Sequence, residues 1–184
     1  QKPVFWLIGG TFALMSLNHG IVISHLLPIF YDRGLDAKTA VLVASFIGPM
    51  QVVGRLIMLA SEKKASVFLI CSVSFGLMFV AGWSIYFGNK SIGLIIAFVI
   101  FQGAGYGVLS IIRPTVISSL LGRNDFGIIS GLLAVGFVLG SALAPLFGSL
   151  VWQLGTYDLV IFVALLLPAF AILLLATAWR LKPQ

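Results

Sequence analysis

The stretch SIGLIIAFVIFQGAGYGVLSIIRPTVISSL, residues 91–120, decides the fold of this chain. It contains one charged side chain, Arg113, and is otherwise dominated by apolar residues and glycine. A helix needs about 20 predominantly apolar residues to cross the hydrocarbon core of a membrane. A membrane-spanning β-strand would be about 10 residues long and would alternate apolar with polar positions. The stretch therefore predicts a transmembrane helix.

Five similar runs surround this stretch and are separated from it and from each other by short polar breaks. The six predicted helices cover about residues 4–31, 39–60, 66–87, 91–120, 127–153 and 156–179. Six spans of about 20 residues need roughly 120 residues, which leaves room for loops but not for an extramembrane domain. The sequence predicts an all-α membrane protein whose residues 1–184 form a single six-helix transmembrane bundle.

The composition excludes an ordinary soluble protein. Of the 184 residues, 60% are hydrophobic and 9% are charged, and the mean hydropathy is +1.15. Soluble domains are about half apolar and a quarter charged. The net charge of +6 comes from scattered basic residues, so no nucleic-acid partner is expected. The single Cys71 provides neither a disulfide nor a metal site, and no cofactor is expected. Because the chain begins at Gln1 rather than Met, we expect a fragment or a processed piece.

The basic residues predict how the bundle is oriented. With six spans, both termini share one side of the membrane. That side holds six basic residues, and the opposite side holds three: Lys2, Lys63, Lys64, Arg123, Arg180 and Lys182 against Arg33, Lys38 and Lys90. Cytoplasmic loops carry an excess of Lys and Arg. We therefore expect a plasma (inner) membrane protein with both termini in the cytoplasm.

Glycine and proline recur at related positions in the first and fourth predicted helices. His19-Gly20 is followed by Pro28, and Tyr106-Gly107 is followed by Pro114. This echo suggests two three-helix units, the second inverted relative to the first, as in secondary transporters. The fifth helix carries two GxxxG pairs, which predict close packing against a neighbouring helix.

Two arginines lie within predicted spans, Arg55 and Arg113, whereas all five acidic residues fall in the breaks. Two interpretations remain open for each arginine. It can extend its side chain to the headgroups and serve as an anchor, or it can face a polar cavity and bind an anion, since a guanidinium holds carboxylates in a bidentate manner.

Further polar side chains occur in the first and fourth helices. Of these, His19, Gln102 and Tyr106 are candidate cavity-lining residues, together with Gln51, which precedes Arg55 by one helical turn. An intramembrane histidine is often only a hydrogen-bonding residue between helices, but His19 could also carry a proton.

Four segments resemble the C-terminal half of a major facilitator superfamily transporter, spans seven to twelve of twelve. They are HGIVISHLLPIFYDRGLDAKTA (19–40), GPMQVVGRL (48–56), FQGAGYGV (101–108) and LLGRNDFGIISGLLAVGFVLGSALAPLFGSL (120–150). Within the superfamily, they are most similar to the monocarboxylate- and oxalate/formate-transporter-like branch.

The resemblance implies two six-helix bundles that rock around a central substrate site. This chain would supply one bundle, and an N-terminal six-helix half or a second copy would supply the other. In the monocarboxylate branch an aspartate precedes a substrate-binding arginine by four residues. That arginine matches Arg55, but Gln51 occupies the position of the acid. The resemblance thus implies that Arg55 contacts the substrate, while Gln51 argues against proton coupling through this position.

These observations predict half of a secondary active transporter for a small organic anion, such as a carboxylate, in a lipid bilayer. The candidate substrate-binding residues are Arg55, Gln51, His19, Gln102 and Tyr106. The alternative is a membrane-embedded interaction or scaffold subunit without a transport path. An integral membrane enzyme is disfavoured, because the sequence offers no carboxylate pair, metal-ligand cluster or activated nucleophile.

Overall fold

The computed structural model describes residues 2–182, so residues 1, 183 and 184 of the predicted domain lie outside the described residues. The described part is helical and contains no strand. The helices are α1 (Lys2–Ser24), α2 (Leu26–Asp32), α3 (Ala37–Ser45), α4 (Ile47–Ser61), α5 (Val67–Tyr86), α6 (Ile92–Leu121), α7 (Phe126–Leu154) and α8 (Tyr157–Arg180), with a 3-10 turn at Gly88–Lys90.

Six helical segments are long and apolar enough to cross a membrane: Pro3–Ser24, Ala37–Ser61, Val67–Tyr86, Ile92–Leu121, Phe126–Leu154 and Tyr157–Arg180. The predicted all-α fold with six spans is thus confirmed for the described residues. The end of the bundle where α1 begins and α8 ends is called the terminal end. The loops at Lys63–Lys64 and Arg123 also lie at this end, whereas Asp32–Arg33, Lys90 and Asp158 lie at the opposite end.

Two predicted helices are each divided in the structure. The run predicted at 4–31 consists of α1 and α2, and the run at 39–60 consists of α3 and α4. Each break follows a serine that precedes a proline by four residues: Ser24 and Pro28, Ser45 and Pro49. Proline lacks the N–H that would bond to the carbonyl four residues earlier, and its ring crowds that carbonyl. The helices therefore change course at these two serines.

The helices pack in the order α4, α6, α5, α8, α1, α7. In addition, α1 and α6, which are second from the two ends of this row, touch each other. Each helix of the first three-helix unit has a counterpart in the second: α1 corresponds to α6, the α3–α4 span to α7, and α5 to α8. When every helix is replaced by its counterpart, the same helices remain neighbours. This symmetry is expected for two three-helix units related by inversion. The α3–α4 span and α7 stand at the two ends of the row and are the least buried spans.

Glycine allows the closest helix contacts. A Cβ atom at Gly54 of α4 or Gly107 of α6 would overlap the backbone of the partner helix, at Ala104 and Gln51 respectively. On α7, Gly140 packs against the backbone of α1 in the same way. The predicted glycine packing of α7 is only partly observed, because Gly127 and Gly131 have open space within 4 Å.

A buried polar pair separates two apolar cores. Asn18 of α1 accepts a hydrogen bond from the Gln102 amide of α6 at 3.1 Å, and it donates to the Ala164 carbonyl of α8 at 2.7 Å. In a regular helix the Ala164 carbonyl would accept a hydrogen bond from the N–H of residue 168. That residue is Pro168, which has no N–H to donate. Asn18 therefore satisfies a carbonyl that the proline leaves free, as is required where no water is available.

A second polar network joins the helices at the end of the bundle opposite the terminal end. Arg33 is buried, donates from Nε to the Ile85 carbonyl at 3.0 Å, and pairs through its terminal nitrogens with Asp158 and, at 3.4 Å, with Asp32. It thereby joins α2, α5 and α8. Nearby, Asp36 caps α3 by accepting from the backbone N–H of Lys38, and hydrogen bonds from Thr39 lower the pKa of Asp36.

Candidate functional site

Several polar and aromatic contacts link α4, α6, α1 and α7 in pairs. We call this set the polar strip, and it consists of Arg55, Ser110, Tyr106, His19, Arg113 and Phe137. Tyr106, Ser110 and Arg113 follow one another at four- and three-residue spacing, so they share one face of α6. Ser110 is exposed, and the other members are half-buried.

Arg55 links α4 to α6. Its Nε donates a hydrogen bond of 3.1 Å to the Gly107 carbonyl, which also accepts from Ser110 at 3.1 Å. The close approach of the two helices at Gly54 and Gly107 makes this contact possible. The terminal nitrogens of Arg55 form no hydrogen bond or ion pair with residues 2–182, so they can bind an anion.

The direction in which the Arg55 side chain points bears on whether this residue is an anchor at the headgroups or an anion-binding residue. Its Cα lies six residues before the end of α4 at Ser61, about 9 Å along the helix. The Gly107 carbonyl, which accepts from the Arg55 Nε, lies at the level of Gln51, one turn further from that end, because a Cβ atom at Gly107 would meet the Gln51 backbone. The guanidinium is therefore turned towards the middle of the bundle. An anchor at the headgroups would have to turn the other way.

His19 and Tyr106 join α1 to α6. Their rings stack with a centroid distance of 3.3 Å and an interplanar angle of 10°. The Nδ1 atom of His19 is buried and has no hydrogen-bond partner within the described part of the chain. Ser16, three residues before His19, donates to the Phe137 carbonyl of α7 at 2.6 Å and so continues the contacts to the fourth helix.

The remaining two predicted residues lie differently. Gln51 is half-buried one turn before Arg55, with its backbone against Gly107, and it therefore lies beside the strip. Gln102 is only 1% exposed and bonds to Asn18 between the two apolar cores. The structure thus brings Arg55, His19, Tyr106 and Gln51 together but places Gln102 in the interior. A substrate contact for any of them stays a prediction.

Three members of the strip, Ser110, Arg113 and Phe137, were not among the predicted site residues. The guanidinium carbon of Arg113 lies over the Phe137 ring, 4.6 Å from its centroid, which is a favourable cation–π distance. The seven-residue spacing from Tyr106 to Arg113 could have indicated their common helix face. Nothing in the sequence distinguishes Phe137 from the other aromatic residues of α7, because its role depends on how α7 packs against α6.

The strip carries positive charge without a compensating acid. Arg55 and Arg113 are its two charged residues, and the five carboxylates of the chain lie in loops or at helix ends. Hydrogen bonds between a guanidinium and a carboxylate or phosphate are among the stronger ones in proteins. The arrangement is therefore suited to binding an anion between helices.

One curated relative bears on the function. This chain is similar to a protein described as an MFS-type transporter, gkaD of Penicillium citrinum, with 31% identity over 114 residues. The match covers 62% of this chain and 19% of that protein, so the matched part of the chain spans about a fifth of the relative's length. No protein-family model matches the chain.

The similarity to an MFS-type transporter is consistent with the fold of this chain. The relative's name supports the resemblance to the major facilitator superfamily at the level of the superfamily, and it favours no particular branch. Six helices able to cross a membrane, together with similarity to a transporter, indicate a multi-pass membrane protein related to transporters.

Proposed function

We propose that this chain is the C-terminal six-helix half of a secondary transporter that moves a small organic anion across the plasma membrane by alternating access. Its termini face the cytoplasm, and its partner is an N-terminal six-helix half or a second copy. The observation that carries this proposal is the polar strip, in which Arg55 is turned inward with free terminal nitrogens and no acid beside it.

The packing order supports the same function. Helices α1 and α6 carry most of the strip, and each packs against one of the least buried spans, α1 against α7 and α6 against the α3–α4 span. Polar groups facing lipid are costly, so the strip is expected to face another bundle across a solute path. A bundle whose halves are related by inversion can rock about such a path.

Substitution of Arg55 tests the proposal. The intact gene product is reconstituted in liposomes, and uptake of a panel of small carboxylates is measured at matched protein density. Arg55→Gln should abolish uptake, and Arg55→Lys should impair it strongly, because the point charge of lysine does not reproduce bidentate binding. Loss of one charge-assisted hydrogen bond, about 1.5–3 kcal/mol, weakens binding roughly ten- to a hundredfold.

Arg123→Gln is the matched control, since Arg123 is exposed in the loop at the terminal end. It removes the same charge and should leave uptake unchanged. Parental uptake by Arg55→Lys and Arg55→Gln would show that Arg55 is an anchor and would remove the main support for an anionic solute. A protein that transports nothing from the panel would favour the scaffold alternative.

A further inference from the structure

Arg113 lies deep within the bundle. Its Cα is eight residues before the end of α6 at Leu121, about 12 Å from the terminal end. Phe137, over which the guanidinium lies, is 11 residues after the start of α7 at Phe126, about 17 Å from the same end. Side chains lean towards the N-terminus of their own helix, which directs Arg113 towards the middle of the bundle. It is therefore not extended to the headgroups.

The protein leaves the hydrogen-bonding groups of Arg113 unused. A guanidinium carries five N–H donors, and Arg113 forms no hydrogen bond or ion pair with residues 2–182. Its contact with Phe137 stabilises the charge through the ring face and leaves the guanidinium edge available. An arginine side chain at this depth with free N–H donors costs free energy unless an anionic partner binds to it.

Arg113 and Arg55 act on the same surface. Arg55 reaches α6 at Gly107, and Arg113 follows six residues later, about 9 Å along the helix. Ser110 lies between them and is exposed on the same face. Two positive charges held at different places in the strip, with no acid among its residues, are neutralised best by a solute with two separated negative charges.

We infer that Arg113 is a second anion-binding residue and that the solute is a dianion with two separated anionic groups, namely a short dicarboxylate. One carboxylate pairs with Arg55, and the other pairs with Arg113. This inference rests on the proposed function, because it assumes that the strip binds the solute. A phosphate monoester carries its two charges on one group and fits the separation of the arginines less well.

Binding to the purified intact protein tests the inference. Isothermal titration calorimetry compares succinate and glutarate with butyrate and pentanoate, which have the same chain lengths, and with methyl phosphate. The parent should bind each dicarboxylate at least about tenfold more tightly than its matched monocarboxylate, since one further charge-assisted contact is made. Arg113→Gln should reduce that ratio to near one, whereas Arg55→Gln should weaken both classes.

The ratio of dicarboxylate to monocarboxylate affinity distinguishes binding from a structural role, because a misfolded variant loses affinity for both ligand classes. Arg123→Gln should keep the parental ratio. If Arg113→Gln does not fold, Arg113→Lys serves instead and should lower the ratio severalfold by losing bidentate contact. Equal affinity of the parent for both classes, an unchanged ratio in Arg113→Gln or Arg113→Lys, or a preference for methyl phosphate would overturn the inference. In those cases Arg55-dependent anion binding still stands. If no anion binds and Arg55→Gln changes nothing, the proposed function fails as well.

Discussion

Asn18 illustrates how a single residue compensates for a proline elsewhere in a membrane protein. It lies at the level where α1, α6 and α8 meet and donates to the Ala164 carbonyl, which Pro168 leaves without a helical partner. It also accepts from Gln102. Both contacts are buried between helices, so the side chain stabilises three helices at once.

Replacement of Asn18 by leucine should lower the free energy of unfolding by about 1–3 kcal/mol, because it leaves a buried carbonyl and a buried amide without partners. Thermal unfolding in detergent, followed by tryptophan fluorescence, measures the loss. The matched control is Ser24→Ala, since Ser24 is exposed and bonds within its own helix to the Gly20 carbonyl. This control should change the unfolding midpoint little.

A second background sharpens the test of Asn18. Pro168→Ala restores an N–H that can bond to the Ala164 carbonyl, so Asn18→Leu should cost less in that background than in the parent. Equal costs in the two backgrounds would mean that Asn18 does not compensate for the proline.

At the scale of helices, the contact between α4 and α6 positions Arg55. The two backbones meet at Gly54 and Gly107, where even a methyl group would overlap main-chain atoms. The contact resembles the small-residue packing of other membrane helices, where lipid gives no hydrophobic drive for association. The position of Arg55 therefore depends on two glycines, Gly54 and Gly107.

Gly54→Ala should force α4 away from α6. Overpacking of this kind costs about 1–3 kcal/mol, and it should also weaken solute binding because Arg55 moves with its helix. Gly76→Ala is the control, since a Cβ atom at Gly76 of α5 meets nothing within 4 Å. Unfolding midpoints and uptake of both variants check this expectation. A Gly54→Ala protein that matches Gly76→Ala in both would show that the backbone contact is not tight.

The sequence predicted the six spans well, because each span is a long apolar run whose signal does not depend on its neighbours. It also indicated Arg55 and the His19–Tyr106 region, since rare polar groups stand out in such runs. It predicted single runs at 4–31 and 39–60, and the prolines that divide these runs in the structure, Pro28 and Pro49, are visible in the sequence. It placed Gln102 among the cavity-lining candidates, because nothing local reveals that Gln102 bonds to Asn18. Such pairings are decided by packing between distant helices.

At the scale of the whole molecule, the orientation in the membrane can be tested directly. In a Cys71→Ala background, cysteines at Lys90 and Lys64 report on the two ends of the bundle, and both positions are exposed. Because basic residues are more numerous at the terminal end, position 64 should react with an impermeant maleimide only from the cytoplasmic side, and position 90 only from outside. The reverse pattern would invert the proposed topology.

The bond between Asn18 and Ala164 also constrains how the protein is made. The two residues are 146 positions apart, and α1 packs mainly against α7 and α8, which leave the ribosome well after it. At 5–20 residues per second, synthesis of the intervening chain takes roughly 7–30 s. During that interval the side-chain amide of Asn18 in α1 lacks the Ala164 carbonyl to which it later donates. It is then exposed to lipid, the insertion machinery or a chaperone. Biogenesis is thus expected to be most vulnerable between the emergence of α1 and that of α8, and chains that stall within α7 should be preferred substrates for membrane quality control.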